Sequence, residues 1–255
     1  MESYTQGDNI AEIVIPLMIA EFDEITKKLS PPKELIGTGF LIGVNGFALT
    51  AAHVVDQLVE AKKERDVMLT HLLNANGFHP FLITDFEKHP HEDVGIIKLN
   101  NSELKSWLHV SNQRFLHSTP YTAWGFPKEN AKELLLIREN SHLFPDLIYT
   151  EGYIRRVIHH ELLSSIFIGK RFYEVSDLGG AGYSGSPILS KRSISGSHWQ
   201  VMGVYIGEKE GQGAPVGYVV PSTSFFEWVP EILGCSIYDE SQKGGSSLFS
   251  QKNKY

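Results

Sequence analysis

Short apolar runs, each of a length suited to one β-strand, recur along the whole chain, and Gly, Pro and Asn residues separate them. This pattern is typical of antiparallel β-barrels. No internal repeat recurs at a fixed period, which argues against solenoids and propellers. The runs lie at 13–20, 39–44, 47–51, 67–72, 80–84 and 94–99 and, after a mixed segment at 101–118, at 122–125, 134–138, 152–159, 171–175, 187–190, 199–206 and 216–220.

The mixed segment divides this strand pattern into two halves. With 255 residues, the chain is long enough for one large all-β domain or for two small barrels that share an interface. We place the boundary near residue 110, which gives an N-terminal barrel over 1–110 and a C-terminal barrel over 111–237. Pro221 and the hydroxyl residues after it predict an N-capped terminal helix. The Ser-, Gly- and Lys-rich residues 238–255 predict a flexible tail.

Composition argues against several classes of protein. The net charge of −7 argues against nucleic acid as the main partner, because phosphate contacts need clustered Lys and Arg. Cys235 is the only cysteine, so no intrachain disulfide can form, which indicates a reducing compartment. The apolar run at 13–20 contains Pro16, is flanked by acidic residues and is too short to span a bilayer. We therefore predict a cytoplasmic protein without a membrane partner.

One glycine-rich segment, 182–187 (GYSGSP), has the features of a nucleophile turn. Ser184 lies between glycines, which give it little steric cover and let the backbone turn sharply around it. Such a turn exposes the hydroxyl and directs neighbouring N–H groups at one point, as an acyl-transfer nucleophile and its oxyanion require. Gly-Ser clusters are also common in ordinary turns, so the assignment depends on a base and a carboxylate elsewhere.

His53 is the candidate base. It follows the apolar run at 47–51 and two alanines that let another surface approach closely. Residues 43–46 (GVNG) supply the turn before that run, so a hairpin is expected to deliver the histidine. Imidazole is the natural general base near neutral pH, although a single histidine is more often an ordinary, partly buried side chain.

A carboxylate that could orient this base lies at the head of a strongly apolar run. Asp93 precedes 94–99 and is expected to be partly buried there, and a buried carboxylate needs a hydrogen-bonded partner such as an imidazole N–H. Asp56 and Asp85 compete for the role. Asp56 is too close to His53 in sequence to reach behind the ring easily, and no comparable apolar run follows Asp85. Asp93 is therefore preferred.

Together, the segments 50–53 (TAAH), 93–97 (DVGII) and 182–187 (GYSGSP) resemble the motifs of trypsin-like serine proteases of the chymotrypsin fold. The order His, Asp, Ser matches that family, with 40 residues from the first to the second and 91 from the second to the third. Subtilisin-like enzymes and α/β-hydrolases have other orders. The resemblance covers roughly residues 10–235. Ser186 stands in place of a second glycine. In this respect the chain resembles bacterial glutamyl-endopeptidase-like members more than digestive trypsins.

The resemblance implies a fold and a set of roles. The fold would be all-β, with two antiparallel six-stranded barrels and a C-terminal helix. Ser184 would be the nucleophile of a serine endopeptidase, His53 its base and Asp93 the carboxylate that orients the base. The N–H groups of Gly182 and Ser184 would form the oxyanion hole. This chemistry needs no cofactor, and the substrate would be a protein or peptide.

The resemblance also places the substrate pocket. Its floor would lie at Leu178 and its walls at Ile206, Gly207 and Gly217. Because leucine cannot pair with a Lys or Arg side chain, we expect an apolar or small residue before the cut. Tyr183 stands where secreted trypsins carry an aspartate that pairs with the new N-terminus. Activation by cleavage is therefore not expected, and a regulatory protein partner could control activity instead.

Two alternatives to a serine endopeptidase stay open: a catalytically silent binding module with the same fold, and an esterase with the same triad. The histidines do not favour a metal site. His159 and His160 are adjacent on a predicted strand and point to opposite faces, and the pair His89 and His91 has no third ligand nearby, nor does His79 supply one. We predict no metal and no cofactor.

Overall fold

A computed structural model of the chain describes residues 10–23, 28–30, 32–74, 77–129, 145–159, 168–177, 179–190, 199–209 and 216–244. The predicted strand at 134–138 lies outside these residues. Strands dominate the described part, and they form two barrels, as predicted.

The first barrel is closed, and all of its neighbouring strands pair antiparallel. Its six strands are β1 (Val14–Ala20), β4 (Glu34–Ile42), β5 (Phe47–Thr50), β6 (Val67–Asn74), β7 (Gly77–Lys88) and β8 (Gly95–Leu99). Their order around the barrel is β1, β4, β5, β8, β7 and β6. A separate two-stranded hairpin is formed by β2 (Phe22–Asp23) and β3 (Lys28–Leu29).

The predicted turn between the first two strands of the motif-bearing hairpin is confirmed. Residues 43–46 join β4 to β5, with Ile42 opposite Phe47. Gly43 and Gly46 have φ values of 61° and 70°, in the left-handed region that glycine adopts without steric cost. The hairpin therefore ends at Thr50, three residues before His53.

The second barrel repeats the architecture with six further strands. They are β10 (Pro120–Gly125), β11 (Ile148–Ile158), β12 (Phe172–Val175), β13 (Pro187–Ser190), β14 (Gln200–Lys209) and β15 (Val216–Pro221). The ring runs β10, β11, β12, β15, β14, β13 and back to β10, all antiparallel. The mixed segment at 101–118, the connector between the barrels, contains a short strand, β9 (His109–Val110). This strand pairs with β14 in parallel.

One helix was not expected from the strand pattern. The helix α1 (Ala52–Glu64) follows β5 after a single residue, and its buried face carries Val54, Val55 and Leu58. Its exposed positions include Asp56, Glu60 and Lys62, which is the pattern of a helix packed on one side. His53 therefore lies in the first turn of a helix rather than in a loop after a strand.

The C-terminal helix is present, but further along the chain than predicted. Only a three-residue 3-10 turn forms at Ser222–Ser224, because Phe225 leaves the helical conformation and buries its ring. The helix is α2 (Ile237–Lys243), with Ser236 as its N-cap. The prediction of a flexible tail from 238 is therefore wrong for its first residues.

Burial of one carboxylate explains why this segment is ordered. Glu240 is buried and accepts hydrogen bonds from the Val44 N–H at 3.1 Å and from Lys243 at 2.8 Å. Burial opposes its ionisation, but these bonds outweigh burial and lower the pKa of Glu240. The helix α2 is thereby tied to the β4–β5 turn. No described helix is long and apolar enough to cross a membrane.

Candidate active site

The Asp93 carboxylate lies at the N-terminus of α1. Asp93 lies two residues before β8 and is buried. Its N–H donates to the carbonyl of Ile168 at 3.0 Å. Ala51, at the N-cap of α1, offers no side-chain cap. The His53 N–H instead donates to Asp93 Oδ1 at 3.0 Å. Asp93 thus supplies the cap that the Ala51 side chain cannot give.

The same carboxylate holds the His53 ring. Nδ1 of His53 lies 2.9 Å from Asp93 Oδ2 and 3.1 Å from Oδ1. An ionised carboxylate only accepts hydrogen bonds, so Nδ1 must carry the hydrogen, which leaves the lone pair on Nε2. The His53 side chain is 39% exposed, whereas that of Asp93 is 3% exposed. The pair is therefore a buried acceptor that orients an accessible base.

The two competing aspartates do not reach His53. Asp56 lies one turn further along α1, is exposed and forms an ion pair with Lys88 at 2.5 Å. Asp85 is exposed on β7, and its carboxylate accepts from the N–H of Phe86. Of the three candidates, only Asp93 bonds to the imidazole.

The segment around Ser184 is a tight turn between the two barrels. Gly182 and Gly185 have φ values of 91° and 93°. A Cβ atom on Gly185 would collide with the carbonyl oxygen of Thr38. The Gly185 N–H donates to the carbonyl of Tyr205 at 2.7 Å, which fastens the turn to β14. Glycine is required at 185 both for the backbone angle and for the close approach.

Thr38, on β4 of the first barrel, holds this turn on its other side. Its N–H donates to the carbonyl of Ser184 at 2.8 Å, and its hydroxyl donates to the carbonyl of Gly182 at 2.9 Å. The same hydroxyl accepts from the Phe126 N–H at 3.0 Å, and the Thr50 hydroxyl donates to the Thr38 carbonyl at 2.7 Å. These buried bonds fix the Ser184 backbone against the barrel that carries His53.

Ser184 and the start of α1 meet above Gly37. The position of a Cβ atom on Gly37 would lie 2.8 Å from Val54 Cγ2 and 3.1 Å from the carbonyl oxygen of Ser184. Val54 is the residue after His53. The Ser184 hydroxyl, however, donates to the carbonyl of Ile206 at 3.5 Å, and among the described residues no hydrogen bond joins it to His53.

Two N–H groups beside this hydroxyl are left available. Neither Gly182 nor Ser184 has a backbone N–H acceptor among the described residues, whereas the Tyr183 N–H donates to Gly180 and the Ser186 N–H to Tyr183. Unpaired N–H groups next to a nucleophile are the donors that an oxyanion requires. The sequence expectation for these two residues stays a prediction, with donors of the right kind in place.

Tyr183 anchors the nucleophile turn to β11. Its ring is buried, its hydroxyl donates to the carbonyl of Ile148 at 3.2 Å, and it lies 3.2 Å from the Thr150 hydroxyl. Burial raises the pKa of the Tyr183 phenol. The sequence shows that this residue cannot form an ion pair with a chain terminus. The structure gives it a neutral anchor on β11 instead.

The residues of the predicted substrate pocket are buried or half-buried where the structure describes them. Ile206 and Gly217 are buried, Gly207 is half-buried, and Leu178 lies outside the described residues. A Cβ atom on Gly217 would meet the Tyr205 ring at 2.8 Å and the Val175 side chain at 2.8 Å. The Tyr205 ring therefore lines the Gly217 side of the predicted pocket. In the sequence, only its position directly before Ile206 could have indicated this role.

A second buried carboxylate adjoins the site and was not predicted. Glu92 precedes Asp93, and its Oε2 has no hydrogen-bond partner among the described residues. Burial raises the pKa of Glu92 to about 7, despite a backbone N–H donated by Lys170. Oε2 faces Gly169 and the ring of Phe172, and a Cβ atom on Gly169 would press against it. Its place at the head of the Asp93 strand was the available sequence indication.

The described residues contain no group of three His, Cys, Asp or Glu side chains placed to hold a metal ion. His89 serves a structural role: its Nδ1 accepts from the N–H groups of His91 and Glu92. Trp228 packs edge-on against its ring at 5.1 Å. Burial lowers the pKa of His89 to about 4, consistent with a neutral ring.

The sequence matches the family described as trypsin-like peptidase domain over residues 37–203. The chain belongs to this family. The matched region includes His53, Asp93 and Ser184. Membership in this family indicates a peptidase that acts on proteins. A comparison with curated protein sequences finds no match.

Several solved proteases share the fold at low identity. The protease domain of MamO from Magnetospirillum magneticum, in its apo form, is 16% identical with a TM-score of 0.55, over 84% of this chain and 93% of that chain. Deg5 is 16% identical with a TM-score of 0.54, over 83% and 84%. The active form of the Rv3671c protease from M. tuberculosis is 17% identical with a TM-score of 0.55, over 93% and 82%.

These likenesses extend over most of each chain and establish a chymotrypsin-like double barrel. They do not test the closer likeness to glutamyl-endopeptidase-like members, which stays a prediction.

Proposed function

We propose that this peptidase is a serine endopeptidase that works through an acyl-enzyme at Ser184. The observation that carries the proposal is the His53–Asp93 pair on the first barrel, held beside the Ser184 turn by the Thr38 bonds. A base with its lone pair on Nε2, a serine in a glycine turn and two N–H groups without an acceptor in the described part of the chain are the parts that acyl transfer needs.

In the proposed reaction, Ser184 Oγ attacks the peptide carbonyl while its proton passes to His53 Nε2. Asp93 stabilises the imidazolium that forms, and the N–H groups of Gly182 and Ser184 donate to the oxyanion. The proton then passes to the leaving amine, which departs and leaves an ester on Ser184. Water then attacks the ester carbonyl as His53 takes its proton, the bond to Ser184 Oγ breaks, and His53 returns the proton to that oxygen as the acid product leaves.

One observation favours the alternative of a silent binding module. The Ser184 hydroxyl contacts Ile206 in place of His53. Catalytic hydrogen bonds in free enzymes are often formed only with substrate, so this contact is compatible with the triad as well. An esterase would use the same residues and differ only in its substrate.

A fluorophosphonate probe separates these functions, because it reacts covalently with an activated serine. We expect the wild-type protein to be labelled and mass mapping to place the label on Ser184. Ser184→Ala should abolish labelling, whereas Ser102→Ala, at an exposed serine of the connector, should leave it unchanged. An unlabelled wild-type protein of correct fold would establish the silent module. Digestion of casein and hydrolysis of a short-chain ester would then separate a peptidase from an esterase.

We also propose a reducing, cytoplasmic setting. Cys235 is a free cysteine whose sulfur lies 3.5 Å from the Lys243 ammonium and 3.7 Å from the buried Glu240. Separation of the producing cells into cytoplasmic and external fractions tests the location. A regulatory protein partner stays a prediction, which co-purification from the same cells can test.

A further inference from the structure

We propose that the ring of Tyr205 fills the space beside Ser184 in which the substrate side chain before the cleaved bond would lie, so that this peptidase accepts only small residues there. The proposal rests on the function proposed above, because it concerns the substrate of the same site. It narrows the sequence expectation of an apolar or small residue to Gly, Ala and Ser.

The backbone of Tyr205 lies directly beside the nucleophile. The Gly185 N–H donates to its carbonyl at 2.7 Å, and its own N–H donates to the carbonyl of Ser186 at 3.0 Å. The next residue, Ile206, accepts from the Ser184 hydroxyl at 3.5 Å. The strand β14 therefore runs beside Ser184. Tyr205 directly precedes Ile206, whose carbonyl contacts the Ser184 hydroxyl.

From this point the ring crosses the gap between β15 and the segment that leads into the nucleophile turn. Its Cε2 lies 2.8 Å from the position of a Cβ atom on Gly217. Its hydroxyl accepts from the Gly179 N–H at 3.5 Å. Tyr183 packs edge-on against it, with ring centroids 5.6 Å apart. Because Tyr205 is only 1% exposed, this space is closed in the free protein.

A large substrate side chain could enter only if the ring left its place. The ring would lose its burial, its edge-on contact and the bond to Gly179. A Gly, Ala or Ser side chain needs no such displacement. Gly217 and Gly179 border the ring, and Val175 also borders Gly217, so removal of the ring would leave an apolar space. Tyr205 is thus the residue that sets the size limit.

A peptide library with varied residues before the cleaved bond tests the limit. For the wild-type protein we expect kcat/KM to be about tenfold or more higher for Ala, Gly and Ser than for Leu, Phe or Lys, as pocket contacts of this kind discriminate. Tyr205→Ala should raise kcat/KM for Leu and Phe substrates by about tenfold, because apolar cavities accept apolar groups. Tyr205→Phe keeps the ring and should keep the wild-type preference.

Tyr173→Ala is the matched control, because Tyr173 is a buried tyrosine whose hydroxyl accepts from the Phe115 N–H. It opens a cavity of similar size elsewhere in the barrel and should not admit Leu or Phe. If Tyr205→Ala does not fold, the profiles of the wild type and Tyr205→Phe decide alone. Equal wild-type cleavage after Phe and Ala would overturn the proposal.

Fluorophosphonate labelling distinguishes the two levels of failure. A wild-type protein that is labelled at Ser184 but cleaves after large residues refutes only the size limit. A wild-type protein that is not labelled refutes the serine peptidase and the size limit together. A labelled Tyr205→Ala protein with an unchanged profile would also overturn the role of the ring.

Discussion

The two barrels support the site with different interiors. The first is filled by aliphatic side chains such as Leu41, Leu49 and Ile97, and its core continues across the seam into the second barrel. The second barrel adds a cluster rich in tyrosine. The buried tyrosines of the described residues all belong to this second half of the chain: Tyr121, Tyr173, Tyr183, Tyr205 and Tyr218.

The difference follows from what each barrel must hold. Aliphatic packing is non-directional and fixes strands, and the paired strands β5 and β8 lead into α1 and follow Asp93, respectively. A buried phenol combines that packing with one directed hydrogen bond. Tyr121 bonds to the backbone of Asp177, Tyr205 to that of Gly179, and Tyr183 to that of Ile148. The second barrel therefore uses hydroxyl groups to fix the irregular backbone that leads into the Ser184 turn.

The largest expected effect is the loss of turnover when Asp93, in the first barrel, is replaced. Asp93→Asn should lower turnover about 10⁴-fold, because the amide no longer holds the ring with Nε2 free to accept the proton. Rates of peptide hydrolysis measure the loss. Asp56→Asn, at the exposed partner of Lys88, is the control and should stay near wild type. Similar losses in both variants would remove Asp93 from its proposed role.

An aliphatic core change tests whether packing alone supports this half. Leu49→Ala, at a fully buried position of β5 opposite Ile96, should reduce the free energy of unfolding by about 2–5 kcal/mol. The folded fraction should still react with the fluorophosphonate probe. Urea denaturation gives the stability, and labelling per folded molecule gives the site. A wild-type stability in this variant would contradict the proposed contribution of the core.

The free energy of unfolding should depend on pH through Glu92. Because burial raises its pKa from 4.5 to about 7, the folded protein keeps a proton there that the unfolded chain has lost. Stability should therefore fall as pH rises from about 4.5 to about 7, by at most about 3 kcal/mol, and change no further above that. Glu92→Gln should lack this slope. Parallel curves of unfolding free energy against pH for the two proteins would refute it.

The smallest expected effect concerns a single hydroxyl of the second barrel. Tyr183→Phe should cost about 1 kcal/mol of stability, because it removes the bond to the Ile148 carbonyl. It should also slow fluorophosphonate labelling, since the turn loses an anchor. Tyr173→Phe should cost about the same stability but leave labelling unchanged. Equal labelling rates in both variants would mean that the phenols serve packing alone.

Local pattern predicted much of the fold, because strand length and turn chemistry are written in neighbouring residues. The runs at 47–51 and 94–99 appear within one residue of their observed bounds, whereas the run at 39–44 begins five residues after the observed start of β4. The helix α1 was missed since the small residues before His53 suggested only a close approach. The helix α2 was missed since its order depends on Glu240 and its contact with Val44, far away in the chain.

The sequence by itself determined the two-barrel pattern, the family and the order of His53, Asp93 and Ser184, because short motifs and strand spacing are local. Only the tertiary structure decided that Asp93 and not Asp56 meets the imidazole. It also decided that Thr38 binds a turn 144 residues away and that the Tyr205 ring packs against Gly217. Such contacts join residues from different strands, and no local pattern in the sequence records which distant side chains will pack together.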